Sequence, residues 1–275
     1  MSDKTNRPIG IFDSGVGGLS VLRAIRTQMP SVPVIYLGDQ AHVPYGPRRL
    51  EEVQAFSEEI TRFLLAKGSK LIVVACNAAS AAALKYLRQV FPEVPFVGME
   101  PAVKPAAEQT RSRVVGVLAT PATFQGALYA SVVERFAKDV TVMQDICPGL
   151  VGQIEKGELD TPQTESILRK ALSPMLNGGI DTVVLGCTHY PFVIPLIERI
   201  VGPGVRVIDP APAVSRQAQR LLQQNGLESG LSSRKPPVDY YTTAVAESLQ
   251  RLLPDLLGES GKVTALHWSN SKLCE

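Results

Sequence analysis

Two cysteines carry most of the chemical promise of this sequence. Cys187 follows Val183-Val184-Leu185-Gly186 and precedes Thr188-His189-Tyr190-Pro191; Cys76 follows Ile72-Val73-Val74-Ala75 and precedes Asn77-Ala78-Ala79-Ser80. In each place a β-branched apolar run reads as a buried strand, which hands over through a small residue to a cysteine and then to a helical pattern. A thiol at such a turn lies near the positive end of a helix dipole, which stabilises its thiolate. A single buried cysteine usually behaves as a small hydrophobe. Two in the same structural slot can act as a base and an acid, one removing a proton from one face of a carbon while the other delivers a proton to the opposite face. The net result is inversion of a stereocentre, with no covalent bond to the protein.

Other residues could assist. Ile9-Gly10-Ile11-Phe12 reads as a strand entering Asp13-Ser14-Gly15-Val16-Gly17-Gly18. The glycine order is not GxGxxG, no Lys-Ser/Thr pair follows, and the Asp13 carboxylate would repel a phosphate, so nucleotide binding is not expected. Asp13 is better suited to orient an ammonium or a thiol. His189, two residues beyond Cys187, titrates near neutrality and could tune that thiol. Glu155, after Cys147-Pro148-Gly149, reads as an ordinary surface helix residue. With three histidines, no HxxxH and no CxxC, a metal site is not expected.

The elements that must position these groups alternate. Strands are expected at Ile9–Phe12, Val34–Asp39, Ile72–Ala75 and Phe96–Met99, with helices from about Leu19 to Met29, Leu50 to Gly68 and Ser80 to Phe91. Alternation of this kind indicates an open parallel sheet with ligands at the carboxyl ends of its strands. The order then repeats. Strand ends at 13, 39, 76 and 100 have counterparts about 106 to 111 residues further on, near 120, 145, 187 and 209. Two homologous α/β halves follow. If they face each other across a pseudo-twofold axis, equivalent strand ends converge on one cleft. The expected organisation is two pseudo-symmetric three-layer αβα domains with mainly parallel sheets: residues 1–100 plus 210–275, and 101–209. Phe124, Leu128, Val132 and Phe136 share a helix face, and Thr161-Pro162 opens another helix as N-cap and first-turn proline. Residues 227–237 read as a loop, Ala246 to Leu257 as a helix kinked at Pro254, and Val263 to Trp268 as a last strand, with His267 and Trp268 as packing residues.

Composition restricts the function class. The 275 residues are 45% hydrophobic and 20% charged, ordinary for a globular chain, and the net charge of +2 with 6% aromatics supplies no field or stacking stripe for nucleic acid. The start, Met1 to Pro8, is polar and no run approaches 18 apolar residues, so no membrane association and a cytoplasmic location are expected. There Cys76, Cys147, Cys187 and Cys274 should stay reduced.

The motifs Asp13-Ser14-Gly15-Val16-Gly17-Gly18, Val43-Pro44-Tyr45-Gly46, Ala75-Cys76-Asn77 and Gly186-Cys187-Thr188-His189-Tyr190-Pro191 together resemble the set found in bacterial glutamate racemases, in order over residues 8–258. The resemblance implies a cofactor-independent isomerase interconverting L- and D-glutamate for peptidoglycan synthesis. It implies Cys76 as base for the D-isomer and Cys187 for the L-isomer, assisted by Asp13, Glu155 and His189. It gives Asp13, Ser14, Pro44, Tyr45, Gly46, Asn77, Ala78, Thr188 and His189 to the substrate, and implies a homodimer. The chain departs from the pattern at Ala78, where threonine is usual, at Gln40 and His42, and at Gly149 and Gly152. Other readings of the same residues are a racemase of aspartate or another acidic amino acid, a non-catalytic amino-acid-binding regulator, and a cysteine-nucleophile hydrolase.

Overall fold

The computed structural model describes residues 6–228 and 235–275. The chain forms two compact units, Met1–Met99 with Ala211–Glu275, and Glu100–Pro210. The first holds a six-stranded sheet built from β1 (Ile9–Asp13), β2 (Val34–Gly38), β3 (Leu71–Val74), β4 (Phe96–Val97), β9 (Val238–Thr242) and β10 (Val263–Ala265). Its order is β10-β9-β2-β1-β3-β4, parallel throughout. The second holds β5 (Val114–Ala119), β6 (Thr141–Asp145), β7 (Thr182–Gly186) and β8 (Arg206–Ile208) in the order β6-β5-β7-β8, also parallel.

Strands β2-β1-β3-β4 of the first unit and β6-β5-β7-β8 of the second thus follow the same winding, so the repeated spacing in the sequence corresponds to a repeated topology. The first unit's sheet is completed by β9 and β10, which the chain adds after returning from the second unit. Because β9 covers β2, every residue of β2 is buried, whereas its counterpart β6 is an edge strand and is mostly exposed or half-buried. The central strands β1, β3 and β7 are buried end to end, as parallel strands covered on both faces require.

Helices cover the sheets. In the first unit α1 (Leu19–Gln28) packs with α10 (Ala211–Gln224) and α11 (Ala246–Leu257), and α2 (Leu50–Ala66) packs with α3 (Asn77–Val90). Phe12, Leu37, Ile72 and Val74 of the strands form one core with Val53, Ile60 and Leu64 of α2 and Ala83 and Leu87 of α3. In the second unit α4 (Val103–Gln109) and α6 (Ala127–Phe136) bury Val103, Ala106, Tyr129 and Val132 against Val115, Val117 and Val184. That unit also contains α5 (Pro121–Gln125), α7 (Leu150–Glu155), α8 (Pro162–Asn177) and α9 (Ile194–Val201). Among the described residues no helix is long and apolar enough to cross a membrane.

Several element boundaries follow local chemistry that periodicity does not show. Helix α3 starts at Asn77, three residues earlier than the apolar pattern suggests, because Cys76 is its N-cap: the residue is extended and its sulfur accepts the Ala79 N–H at 3.4 Å. The face drawn through Phe124 and Phe136 is interrupted, since Gly126 is extended and separates α5 from α6; Tyr129 and Val132 are the buried residues. Leu50 lies on the first turn of α2 and is 52% exposed, outside the core face formed by Val53, Ile60 and Leu64. Pro254 does not end α11, which runs on to Leu257 and stops at left-handed Gly258. The last strand divides: β10 joins the sheet, while β11 (His267–Ser269) pairs antiparallel with β12 (Lys272–Cys274). Thr161 caps α8 as expected, accepting the Thr164 N–H at 3.3 Å. The loop expected over residues 227–237 falls partly outside the described residues.

Candidate active site

In the first unit three candidate side chains, Asp13, Ser14 and Cys76, meet at the carboxyl ends of β1 and β3. Asp13 is the last residue of β1 and Cys76 follows β3 by two positions, so the parallel pairing of those strands brings the two ends together. Ser14 Oγ donates to Asp13 Oδ1 at 3.0 Å, and the Gly15 N–H donates to the same oxygen at 2.8 Å. The Cys76 thiol donates in turn to Ser14 Oγ at 3.8 Å, a sulfur-length hydrogen bond. Asp13, Ser14 and Cys76 are all buried. The thiol is therefore joined to a carboxylate through one hydroxyl. Its sulfur also faces the first turn of α3, where exposed helix N–H groups favour negative charge.

Asn77 opens α3 beside this thiol. Its side chain is buried, and neither its amide oxygen nor its amide nitrogen has a hydrogen-bond partner among the described residues. A buried amide without a partner costs free energy on the order of 1–3 kcal/mol. A polar ligand that both accepts and donates would recover it. Ala78, next in the helix, is half-buried and offers no side-chain hydroxyl.

The loop between β2 and α2 supplies Pro44, Tyr45 and Gly46. The Val43–Pro44 peptide is cis, Pro44 is exposed, Gly46 is half-buried, and Tyr45 is buried with its hydroxyl donating to Asp39 Oδ2 at 2.6 Å. Burial and the adjacent Asp39 charge hold the Tyr45 phenol well above its ordinary pKa. Gln40 and His42 are each engaged: Thr242 Oγ1 donates to Gln40 Oε1 at 2.8 Å, and His42 Nδ1 lies 2.9 Å from Asp39 Oδ2.

In the second unit the corresponding thiol has a different partner. Cys187 follows β7 directly and is buried; its Sγ lies 3.7 Å from His189 Nδ1. His189 Nε2 lies 2.6 Å from Glu155 Oε1, on the last residue of α7. Glu155 is thus a half-buried partner of His189 rather than a free surface residue; the glycine-rich stretch upstream hides that from sequence pattern. Burial disfavours the charged imidazole, but hydrogen bonds to Cys187 and Glu155, together with their negative charges, outweigh it and raise the His189 pKa well above its ordinary value. The raised pKa favours the charged imidazole beside Cys187 Sγ. Thr188 is buried between Cys187 and His189. Unlike Cys76, Cys187 does not cap an α-helix: a 3-10 turn over Tyr190–Val193 intervenes before α9.

Sequence reasoning missed three groups around these thiols. Asp39 is fully buried and accepts from Tyr45, Thr243 and Trp268. Cys147 is buried with a left-handed backbone (φ 44), its N–H bonded to Asp145 Oδ1 at 2.7 Å, and burial pushes its thiol pKa up. Tyr190 is buried beside Cys187, with burial and that thiol's charge raising its pKa. Only Asp39 had a visible signal, as a carboxylate at a strand end. Among the described residues no cluster of three or more His, Cys, Asp or Glu side chains is arranged to hold a metal ion.

Residues 13–218 match the family described as Asp/Glu/hydantoin racemase. The chain belongs to the Asp/Glu/hydantoin racemase family. As a member it is an isomerase, and the motif resemblance seen in the sequence agrees. It is 49% identical over 253 residues to the glutamate racemase of Roseiflexus sp. strain RS-1, covering 92% of this chain and 93% of that one. Its fold superposes on a glutamate racemase isoform from Bacillus anthracis with a TM-score of 0.84 at 32% identity, over 98% of this chain and 99% of that one. A glutamate racemase from Francisella tularensis, solved in complex with D-glutamate, gives a TM-score of 0.81 at 29% identity, over 95% and 97% of the two chains. The two-domain arrangement of mainly parallel sheets with flanking helices is the fold of these family members.

Proposed function

We propose that this chain interconverts L- and D-glutamate by a two-base mechanism in which Cys76 and Cys187 exchange protons with the α-carbon from opposite faces. The observation that carries the proposal is that each buried thiol is one hydrogen-bonded group away from a carboxylate, Ser14 and Asp13 for one, His189 and Glu155 for the other. The similarity to glutamate racemases over nearly the whole chain supports glutamate as the substrate.

In the L-to-D direction Cys187 enters as thiolate, held by the His189 imidazolium, and takes the α-proton. The electron pair left on carbon is spread into the substrate carboxylate. Cys76 enters as thiol and gives its proton to the opposite face, leaving as thiolate. In the D-to-L direction the roles reverse: Cys76 enters as thiolate, its proton having passed through Ser14 to the Asp13 carboxylate, and Cys187 enters as thiol and gives the proton to the opposite face. Asn77 supplies a buried donor and acceptor for the substrate's α-carboxylate and ammonium, with Ser14, Tyr45, Gly46, Ala78 and Thr188 completing the contacts. Pro44 shapes the loop that brings Tyr45 in. No group outside the chain is needed to move the proton. The product serves peptidoglycan synthesis in the cytoplasm, where free thiols stay reduced.

The test is racemisation in deuterium oxide with glutamate and aspartate run in parallel. The expected result is deuterium at the α-carbon of glutamate, at rates well above those with aspartate. Activity on aspartate without activity on glutamate overturns the substrate assignment, and full activity of Cys76→Ala or Cys187→Ala overturns the two-base mechanism.

A further inference from the structure

Asp39 follows β2 at the start of the loop that carries Tyr45, and four side chains, two from this loop and two from distant stretches of chain, converge on its carboxylate. Tyr45 Oη donates at 2.6 Å, Thr243 Oγ1 at 2.7 Å and Trp268 Nε1 at 2.9 Å, while His42 Nδ1 lies at 2.9 Å. Burial works against the charge, but these four bonds outweigh it and hold the carboxyl below its ordinary pKa. Asp39 is thus an ionised, fully buried hub with every partner fixed in direction.

Trp268 is the unexpected member. It lies on β11, in the C-terminal hairpin, and its ring packs 5.5 Å from Phe56 of α2 and 5.2 Å from the His42 ring, which itself stacks on Phe56 at 3.9 Å. The hairpin is tied to the outer side of α2 as well. The Leu273 N–H and Lys272 Nζ each bond Glu59 at 3.2 Å, and Lys67 pairs with Glu275. The tail is therefore strapped along α2 with its indole inserted at the root of the 42–46 loop.

We infer that Trp268 is a positioning residue: its indole N–H and ring fix Asp39 and the 42–46 loop, so that the C-terminal hairpin sets the affinity for substrate by acting through Tyr45. The inference rests on the reading of that loop as a substrate-holding element. A loop already held in its binding geometry avoids an ordering cost when ligand arrives. Its release weakens binding of ground state and transition state alike, and so raises KM rather than lowering kcat.

The experiment compares the full-length chain with Trp268→Phe, which keeps an aromatic ring and removes the N–H. Hydrogen exchange by mass spectrometry should show faster exchange over residues 40–48 and no change over α8. KM for glutamate should rise about tenfold, the size of one charge-assisted hydrogen bond, with kcat within about twofold of wild type. Asp39→Asn introduced on top of Trp268→Phe should add less than it does alone. Unchanged exchange over 40–48, unchanged KM with only a lower Tm, or full additivity with Asp39→Asn each overturn the inference. If the wild-type chain does not racemise glutamate, the proposed function fails, and the exchange measurement alone then decides whether Trp268 fixes the loop.

Discussion

Ser14 and His189 occupy the same place in two hydrogen-bonded chains, each lying between a thiol and a carboxylate, yet they differ in what they can carry. A serine hydroxyl relays polarity but holds no charge near neutrality, whereas an imidazole between Cys187 and Glu155, its pKa raised by those two neighbours, can hold a proton and a positive charge. The two directions of reaction should therefore respond differently to substitution. His189→Gln should lower kcat from the L-isomer, where Cys187 is the proposed base, by about 10²-fold or more and kcat from the D-isomer by less, with KM shifting in step because an equilibrium constant of one keeps kcat/KM equal in the two directions; steady-state kinetics from each enantiomer check this. An equal loss of kcat in both directions would contradict the assignment. The same residue makes stability depend on pH. Its folded pKa is raised above the reference of 6.5, so its pairing stabilises the fold fully below about that pH and the contribution fades as pH rises through the folded value. Urea melts of wild type and His189→Gln should differ most in mildly acidic buffer and converge at alkaline pH.

At the scale of elements, the two cysteines are equivalent in the sheets but not at the helices that follow. Cys76 caps α3 with its sulfur, while Cys187 leads into a 3-10 turn. Capping and the proposed catalytic role can be separated at position 76. Cys76→Ser restores an oxygen cap and should be about 1 kcal/mol more stable than Cys76→Ala by thermal melting, with racemisation lost in both. Close strand packing sets the other thiol. A Cβ on Gly186 would lie 2.8 Å from Ala119 Cβ and 3.2 Å from Leu118 O, so Gly186→Ala must push β7 away from β5 and move Cys187. A loss of about 1–3 kcal/mol and a lower kcat are expected. Gly152, within α7, is the contrasting case: a Cβ there would meet nothing within 4 Å, and Gly152→Ala should stabilise by roughly 0.5–1 kcal/mol. A destabilised Gly152→Ala variant would mean that α7 needs the freedom of glycine to present Glu155.

On the scale of the whole molecule, the chain writes the same four-strand winding twice and then adds β9 and β10 to the first copy alone. The second unit is one uninterrupted segment, Glu100–Pro210, while the first is assembled from two segments. Its edge strands β6 and β8 are short and largely polar in their exposed positions, which suits a sheet that ends there. The 100–210 fragment should therefore fold alone, giving a cooperative melt and dispersed amide resonances. The 1–99 fragment should not, because without β9 the fully buried β2 becomes an open edge and Asp39 loses Thr243 and Trp268. A folded, monomeric 1–99 fragment would show that the returning C-terminal segment is dispensable.

The sequence by itself determined the α/β class, the repeat, and the placing of Asp13, Cys76 and Cys187 at strand ends, because buried parallel strands need unbroken apolar runs and their ends are punctuated by small and polar residues. It also carried the motif set that marks the racemase family. What each thiol is bonded to was decided only by tertiary structure. Glu155 looks like any surface helix residue until α7 sets it 2.6 Å from His189, and Asn77 looks like a turn residue until it is buried with an amide that has no partner among the described residues. Trp268 is 229 positions from Asp39, and their bond exists only because the chain returns to the first sheet after completing the second. Periodicity reports which face of an element is buried; it does not report which polar atoms meet there, since those meetings join segments with no local relation in sequence.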